Sequence, residues 1–99
     1  MAKRNIVWSK KAEIKLFDIL DFYKVRNGNT NYSNKLYQKF IQELYRLDKF
    51  PEIGIKTEIE NIRGLIVDGF ILFYEVEPKA IYIHTLWDCK QNPKDLNIK

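Results

Sequence analysis

The chain has one cysteine, one histidine, one methionine, three prolines and four glycines in 99 residues. A single thiol, Cys89, cannot close an intrachain disulfide, and it has no second thiolate with which to hold a metal cluster. His84 has no second histidine and no neighbouring nucleophile in sequence, which argues against a histidine-based triad or a multi-histidine metal site. Glycine is too sparse for a phosphate-cradling loop, and no His-Glu-x-x-His helix or Ser-x-Gly elbow occurs. No apolar run is long enough to cross a membrane, and Met-Ala-Lys-Arg-Asn leads straight into an alternating segment without a signal-peptide stretch. The reading is a chain without metal, cofactor or membrane attachment, with the cytoplasm as its default compartment.

What is present is aromatic bulk and charge. Six Tyr and six Phe give a short chain large side chains to bury, and an apolar fraction of 45% is that of a folded domain and not of a disordered segment. At this length one domain, residues 1–99, with a single core is expected. Charge is uneven: residues 1–50 carry eleven Lys and Arg against five Asp and Glu, and residues 51–99 carry six against eight. The positive field therefore belongs to the first half and implies a negatively charged partner, whether RNA, DNA or an acidic protein segment.

Ile6-Val7-Trp8 is a short bulky segment that reads as a first or edge strand. Ser9 stands where an N-cap is wanted, and Ala12, Leu16, Ile19, Leu20 and Tyr23 then fall on one side of a helix. Asn27-Gly28-Asn29 stops it. Ser33 repeats the capping logic ahead of a second stripe, Leu36, Tyr37, Phe40, Ile41, Leu44 and Leu47, which closes at Phe50-Pro51. Two helices with one apolar face each and a short polar loop between them read as an αα-hairpin. Lys35, Lys39 and Arg46 lie off the second stripe, either as a solvated basic face or as a surface for nucleic acid or a partner.

Residues 52–57 read as irregular, and from Glu58 the pattern turns to strand. Ile59, Ile62, Leu65, Ile66 and Val67 lead into Asp68-Gly69 and Phe70 to Val76 lead out, which predicts a two-residue type I′ hairpin turn and sets the register: Val67 faces Phe70, Ile66 faces Ile71, Leu65 faces Leu72, Gly64 faces Phe73 and Arg63 faces Tyr74. After a turn at Glu77-Pro78-Lys79, Ala80 to Trp87 form a third strand. Strict alternation puts Ile81, Ile83, Thr85 and Trp87 on one face, and Tyr82, His84 and Leu86 on the other. The fold class expected is α+β: an N-terminal strand and an αα-hairpin packed on an antiparallel sheet that ends in a three-strand meander.

Arg63 is the most interesting candidate for function. An unpaired guanidinium mid-strand in an apolar stretch is costly, so it must face solvent, pair with a carboxylate such as Glu75, or grip a ligand. Lys90 follows the last strand, where its side chain can overhang a sheet face. Tyr74 and Tyr82 are packing aromatics or proton donors, and His84 is a strand histidine or an acid-base group. Cations and tyrosines suit one chemistry in particular. Cleaving an RNA phosphodiester needs a base for the 2′-hydroxyl, a donor for the leaving oxygen and positive charge at the phosphoryl oxygens.

Taken in order, Ile6-Val7-Trp8-Ser9 with Ala12, Leu47-Asp48-Lys49-Phe50-Pro51, Ile62-Arg63-Gly64-Leu65-Ile66-Val67, Gly69-Phe70-Ile71-Leu72-Phe73-Tyr74 and Leu86-Trp87-Asp88-Cys89-Lys90-Gln91-Asn92-Pro93 resemble the RelE/ParE superfamily of type II toxin-antitoxin systems. The resemblance covers nearly the whole chain and is strongest to the ParE-like plasmid-stabilisation toxins. It implies a growth-inhibiting toxin held inactive by a cognate antitoxin. The ParE branch acts on DNA gyrase without cutting RNA, and the RelE branch cuts mRNA on the ribosome with basic residues and commonly a C-terminal tyrosine.

By position, Arg63 matches the arginine of the second strand and Lys90 the basic residue after the last one. Under the nuclease reading the resemblance makes Arg63, Lys90, Tyr74 and His84 catalytic candidates, and under partner binding it points to Arg63, Trp87 and Lys90. Where the family commonly reads Gly-Tyr-Arg or Gly-Phe-Arg after the turn, this chain has Gly69-Phe70-Ile71, and no tyrosine follows Pro93. One donor lost from such a cluster costs about two to three orders of magnitude in rate. The expectation is therefore a ParE-like toxin that binds its target, with a ribosome-dependent endoribonuclease and a degenerate, antitoxin-binding member as the alternatives.

Overall fold

The computed structural model describes residues 4–90; the expectations placed on residues 1–3 and on Gln91-Asn92-Pro93 lie outside them. Seven elements follow one another: β1 (Asn5–Trp8), α1 (Lys10–Asn27), α2 (Asn31–Lys49), β2 (Ile55–Lys56), β3 (Ile62–Val67), β4 (Phe70–Val76) and β5 (Ala80–Asp88). They build one five-stranded sheet in the order β1-β5-β4-β3-β2. The last three strands are the expected antiparallel meander. β1 lies parallel to β5 at one edge, and the short β2 closes the other against β3.

Ser9 caps α1 as its sequence position predicts. Its Oγ accepts the Ala12 N–H at 3.0 Å, and its own hydroxyl donates to the His84 carbonyl at 2.8 Å. The cap thus ties the start of α1 to β5. Gly28 ends the helix in the left-handed region. The second cap expected from sequence does not form. α2 begins at Asn31, two residues before Ser33, because Asn29 turns the chain early by accepting the Asn31 N–H at 3.1 Å. Ser33 is buried inside the helix instead, and its hydroxyl donates to Leu20 O at 2.7 Å, a polar pin between the two helices.

The hairpin turn has φ of 51° at Asp68 and 87° at Gly69, the pair of left-handed residues that a type I′ turn requires. All five pairings expected between β3 and β4 are present. Asp68 also receives Lys39 of α2 at 3.2 Å, which anchors the turn to the helical layer.

The helices cover one sheet face. Leu36, Phe40, Leu44 and Leu47 of α2, with Ala12 and Leu16 of α1, pack on Leu65, Val67, Leu72, Tyr74, Ile81, Ile83 and Leu86. Each fully buried Leu or Phe contributes about 1.5–3 kcal/mol. Phe40 meets Phe70 edge-on with centroids 6.0 Å apart.

On the opposite face Ile62, Phe73 and Trp87 form a smaller cluster, with Ile59 and Ile71 against it. The alternation expected along β5 is interrupted. Tyr74 pairs with Ile83 and Phe73 with Thr85, so His84 has no opposite residue and bulges out of the ladder. The extra residue reverses the faces beyond it. Leu86 joins Ile81 and Ile83 in the main core, and Trp87 goes to the outer cluster. β3 also starts later than the shift at Glu58 suggests, because Thr57 folds residues 57–62 into a turn by bonding Ile59 O and Ile62 O at 3.1 and 2.8 Å.

Candidate functional site

Arg63 and Tyr74 face each other across β3 and β4, at the end of the hairpin remote from the Asp68-Gly69 turn. Tyr74 is fully buried, and its hydroxyl is engaged twice: it accepts the Gly54 N–H and donates to Pro51 O, both at 2.9 Å. Burial pushes its pKa above the ordinary 10.0. The Gly54 hydrogen bond and the nearby Arg63 charge pull the other way, and Glu52 adds to the rise.

Arg63 does not pair with Glu75. Its Nη1 donates to Gly54 O at 2.9 Å and to Glu52 O at 3.3 Å, so the guanidinium closes the linker between α2 and β2. Beside it lies a cleft of about 570 Å³ that Arg4, Lys56 and Arg63 share with Glu52 and Glu60. Its cations do not stand alone. The Arg4 side chain donates to Glu77 O at 3.2 Å and to Asp48 O at 3.4 Å, and the two carboxylates reduce the field that a phosphate would meet.

Glu75 pairs with His84 instead, Oε1 to Nε2 at 3.0 Å, both side chains about one-quarter exposed. Glu75 follows Tyr74 in β4 and stands opposite Ile62, so the pair lies on the outer face, away from the helices. The bulge makes this possible by releasing His84 from the ladder. Tyr82 is exposed on the strand beside it, paired with Glu75 in the ladder.

Lys90 is exposed just beyond β5, its backbone N–H bonded to Asp88 Oδ1 at 2.9 Å. Asp88 stands opposite Phe70, at the turn end of the hairpin, five residues from Ile83, the neighbour of Tyr74. At the rise of an antiparallel strand that separation is about 17 Å. Trp87 is only 8% exposed, its indole in the outer cluster. The four residues that the nuclease reading names thus divide into Arg63 and Tyr74 at one end, His84 on the outer face, and Lys90 at the far end.

Three features had weak signals in the sequence. Gly54 is demanded by the Tyr74 hydroxyl, a contact twenty residues away. Arg4 reaches the site from residues that read as a leader to β1. The exposed amides of α2, Asn34, Gln38 and Gln42, share an arc with Lys35, Lys39 and Arg46, and a helical projection of the polar positions finds them. Among the described residues there is no group of three or more His, Cys, Asp or Glu placed to hold a metal ion, and no helix is long and apolar enough to cross a membrane.

A family model described as the ParE toxin of the type II toxin-antitoxin system, parDE, matches residues 6–93. No curated protein matches the chain in sequence. Among solved structures, a chain of the chromosomal ParDE toxin-antitoxin system from P. aeruginosa is similar, with a TM-score of 0.73 and 23% identity over 87% of this chain and 96% of that one. At that identity the likeness speaks for the fold, including the helix hairpin laid on the meander. The family match runs from Ile6 in β1 through β5 and includes every residue of the candidate site except Arg4, and on that ground the chain belongs to the ParE toxin family of type II toxin-antitoxin systems.

Proposed function

We propose that this protein is a cytoplasmic toxin that stops growth by binding a cellular target such as DNA gyrase, and that a cognate antitoxin holds it inactive. The observation that carries the reading is the state of Arg63. Its guanidinium is committed to the Glu52 and Gly54 carbonyls, and the position after Gly69-Phe70 is Ile71, which can neither neutralise a phosphate nor move a proton. A ribonuclease of this architecture needs several cations converging on one phosphoryl group, and here Arg63 and Lys90 stand at opposite ends of the hairpin. A binding toxin needs only a rigid surface and a charge suited to its partners. The net positive first half favours an antitoxin with an acidic segment.

Purified toxin added to DNA gyrase and relaxed plasmid tests the target. Inhibition of supercoiling with accumulation of cleaved DNA, reversed by the antitoxin, is expected. Full supercoiling activity at a large molar excess of toxin contradicts the gyrase reading.

A second reading, a ribosome-dependent mRNA endoribonuclease, is favoured by one observation only. The Glu75–His84 pair is the kind of carboxylate-oriented imidazole that serves acid-base chemistry. Loss of mRNA cleavage in His84→Ala, together with its presence in the parent protein, would support that reading over the first. A third reading, a family member that only binds its antitoxin, predicts harmless expression with tight co-purification of the partner.

A further inference from the structure

The outward face of α2 differs from every other helical surface of the molecule. At 100° per residue, Lys35, Lys39, Arg46 and Lys49 fall with the amides Asn31, Asn34, Gln38 and Gln42 in one arc of about 140°. All eight are exposed, and the arc contains no acidic residue. The buried residues Ser33, Leu36, Phe40, Leu44 and Leu47 occupy the opposite side, so the polar arc is the side turned away from the core. α1 is different: its exposed positions mix Lys10, Lys24 and Arg26 with Glu13, Asp18 and Asp21.

This choice of residues is not the one that helix stability favours. An acid at 31 or 42 would stand four residues before Lys35 or Arg46, the favourable orientation for an i,i+4 ion pair, yet both positions hold amides. Lys35 and Lys39 are themselves i,i+4 and repel. The first turn has no acidic residue, and Thr30 makes no side-chain cap bond, so the positive end of the helix is not neutralised. Lys39 and Arg46 each share charge with an acid at the border of the arc, Asp68 at 3.2 Å and Glu43 at 3.3 Å, whereas Lys35 and Lys49 have no ion pair among the described residues.

A row of amides bordered along one side by cations on an exposed helix has a specific complement. Gln and Asn side chains present a donor and an acceptor together, which matches the edge of adenine in the major groove, and the Lys and Arg beside them meet the adjoining phosphates and guanine edges. Nineteen residues make a helix about 28 Å long, sufficient to follow the groove over its full contact. A-form RNA keeps its major groove too narrow for such a helix, and an acidic protein segment would pair with the cations and the amide N–H donors but leave the amide acceptors to water. We propose that the α2 face is a docking surface for double-stranded DNA, with Lys35 and Lys49 as its principal phosphate contacts and Gln38 and Gln42 facing the base edges. This goes beyond the toxin reading and does not depend on toxicity or on gyrase.

The test is fluorescence anisotropy of a labelled 20-base-pair duplex with the full chain, repeated from 50 to 200 mM KCl. Four contributing cations predict a slope of log K against log salt of about −3.6. Lys35→Glu with Lys49→Glu is expected to weaken binding at least tenfold, and Lys10→Glu with Lys79→Glu, with the same net charge, less than threefold. Circular dichroism checks that both fold; should the first fail to, Lys35→Gln with Lys49→Gln carries the same prediction with a loss of about fivefold. No duplex binding at 50 mM KCl overturns the proposal. So does an equal loss in the two pairs of substitutions, or tighter binding to single-stranded RNA of the same length or to polyglutamate.

Discussion

The Tyr74 hydroxyl lies 2.9 Å from the Gly54 nitrogen, and a Cβ added at Gly54 would stand 2.5 Å from that same oxygen. The linker between α2 and β2 can therefore pass over the end of the hairpin only with glycine at this point. Arg63 fixes the other side of the same residue by donating to Gly54 O. One residue of the linker thus holds two of the residues that sequence offers as catalysts.

Gly54→Ala is expected to destabilise the protein by about 1–3 kcal/mol, because Tyr74 is packed on all sides and cannot retreat. Tyr74→Phe removes the clash partner but leaves the Gly54 N–H without its acceptor, at a cost of about 1–3 kcal/mol. The two substitutions share one contact, so the double variant should be less destabilised than the sum. Urea denaturation with an unchanged m value reads all three.

Alkaline stability follows from the same tyrosine. Burial raises the pKa of Tyr74, and burial with the Asp68 carboxylate raises that of Tyr32, both above the ordinary 10.0. A raised value means that the folded state holds the proton more tightly than the unfolded one. The contribution to stability is therefore complete below about pH 10 and is lost as pH rises through the folded value. Tyrosinate absorbance should finish rising at higher pH in the folded protein than in urea, and Tyr74→Phe should remove part of that late fraction.

Ser9 joins two elements through one hydroxyl, as the cap of α1 and as the donor to the bulge carbonyl at His84. Ser9→Ala should cost about 1–2 kcal/mol, the upper part of the range for a lost N-cap. Ser33→Ala, which loses only the bond to Leu20 O, should cost about 1 kcal/mol. Thermal unfolding of the two variants ranks them, with Ser9→Ala melting lower.

At the hairpin turn, backbone geometry should outweigh the ion pair. Gly69→Ala forces a Cβ into a φ of 87° and should destabilise by about 1–2 kcal/mol, although nothing stands within 4 Å of the added carbon. Asp68→Asn tolerates the left-handed backbone and loses the half-exposed Lys39 pair, for a change of about 0.5 kcal/mol or less. Chemical denaturation distinguishes the two.

Local signals carried much of this fold. Ser9, Asn27-Gly28 and Asp68-Gly69 each act within a few residues, and all three do in the structure what their chemistry requires. Ser33 has the same local signature as Ser9, but Asn29, four residues earlier, accepts the Asn31 N–H and starts the helix first, and the Ser33 hydroxyl finds Leu20 instead. The faces of Leu86 and Trp87 were not legible, because the bulge at His84 lies in how β5 meets β4, and its carbonyl accepts a hydrogen bond from the Ser9 hydroxyl, seventy-five residues away. The site was legible as a set of residue types and not as a geometry. Nothing near Arg63 in sequence says that its guanidinium goes to the carbonyls of Glu52 and Gly54, or that Glu75 goes to His84.

Induced expression followed by mapping of mRNA 5′ ends and DNA breaks in the same culture separates binding from cutting. A toxin that binds gyrase should give DNA breaks that depend on gyrase, with mRNA ends unchanged from the uninduced culture. Codon-positioned cleavage of mRNA on ribosomes, abolished by Arg63→Ala with Lys90→Ala and unaccompanied by DNA breaks, would contradict it.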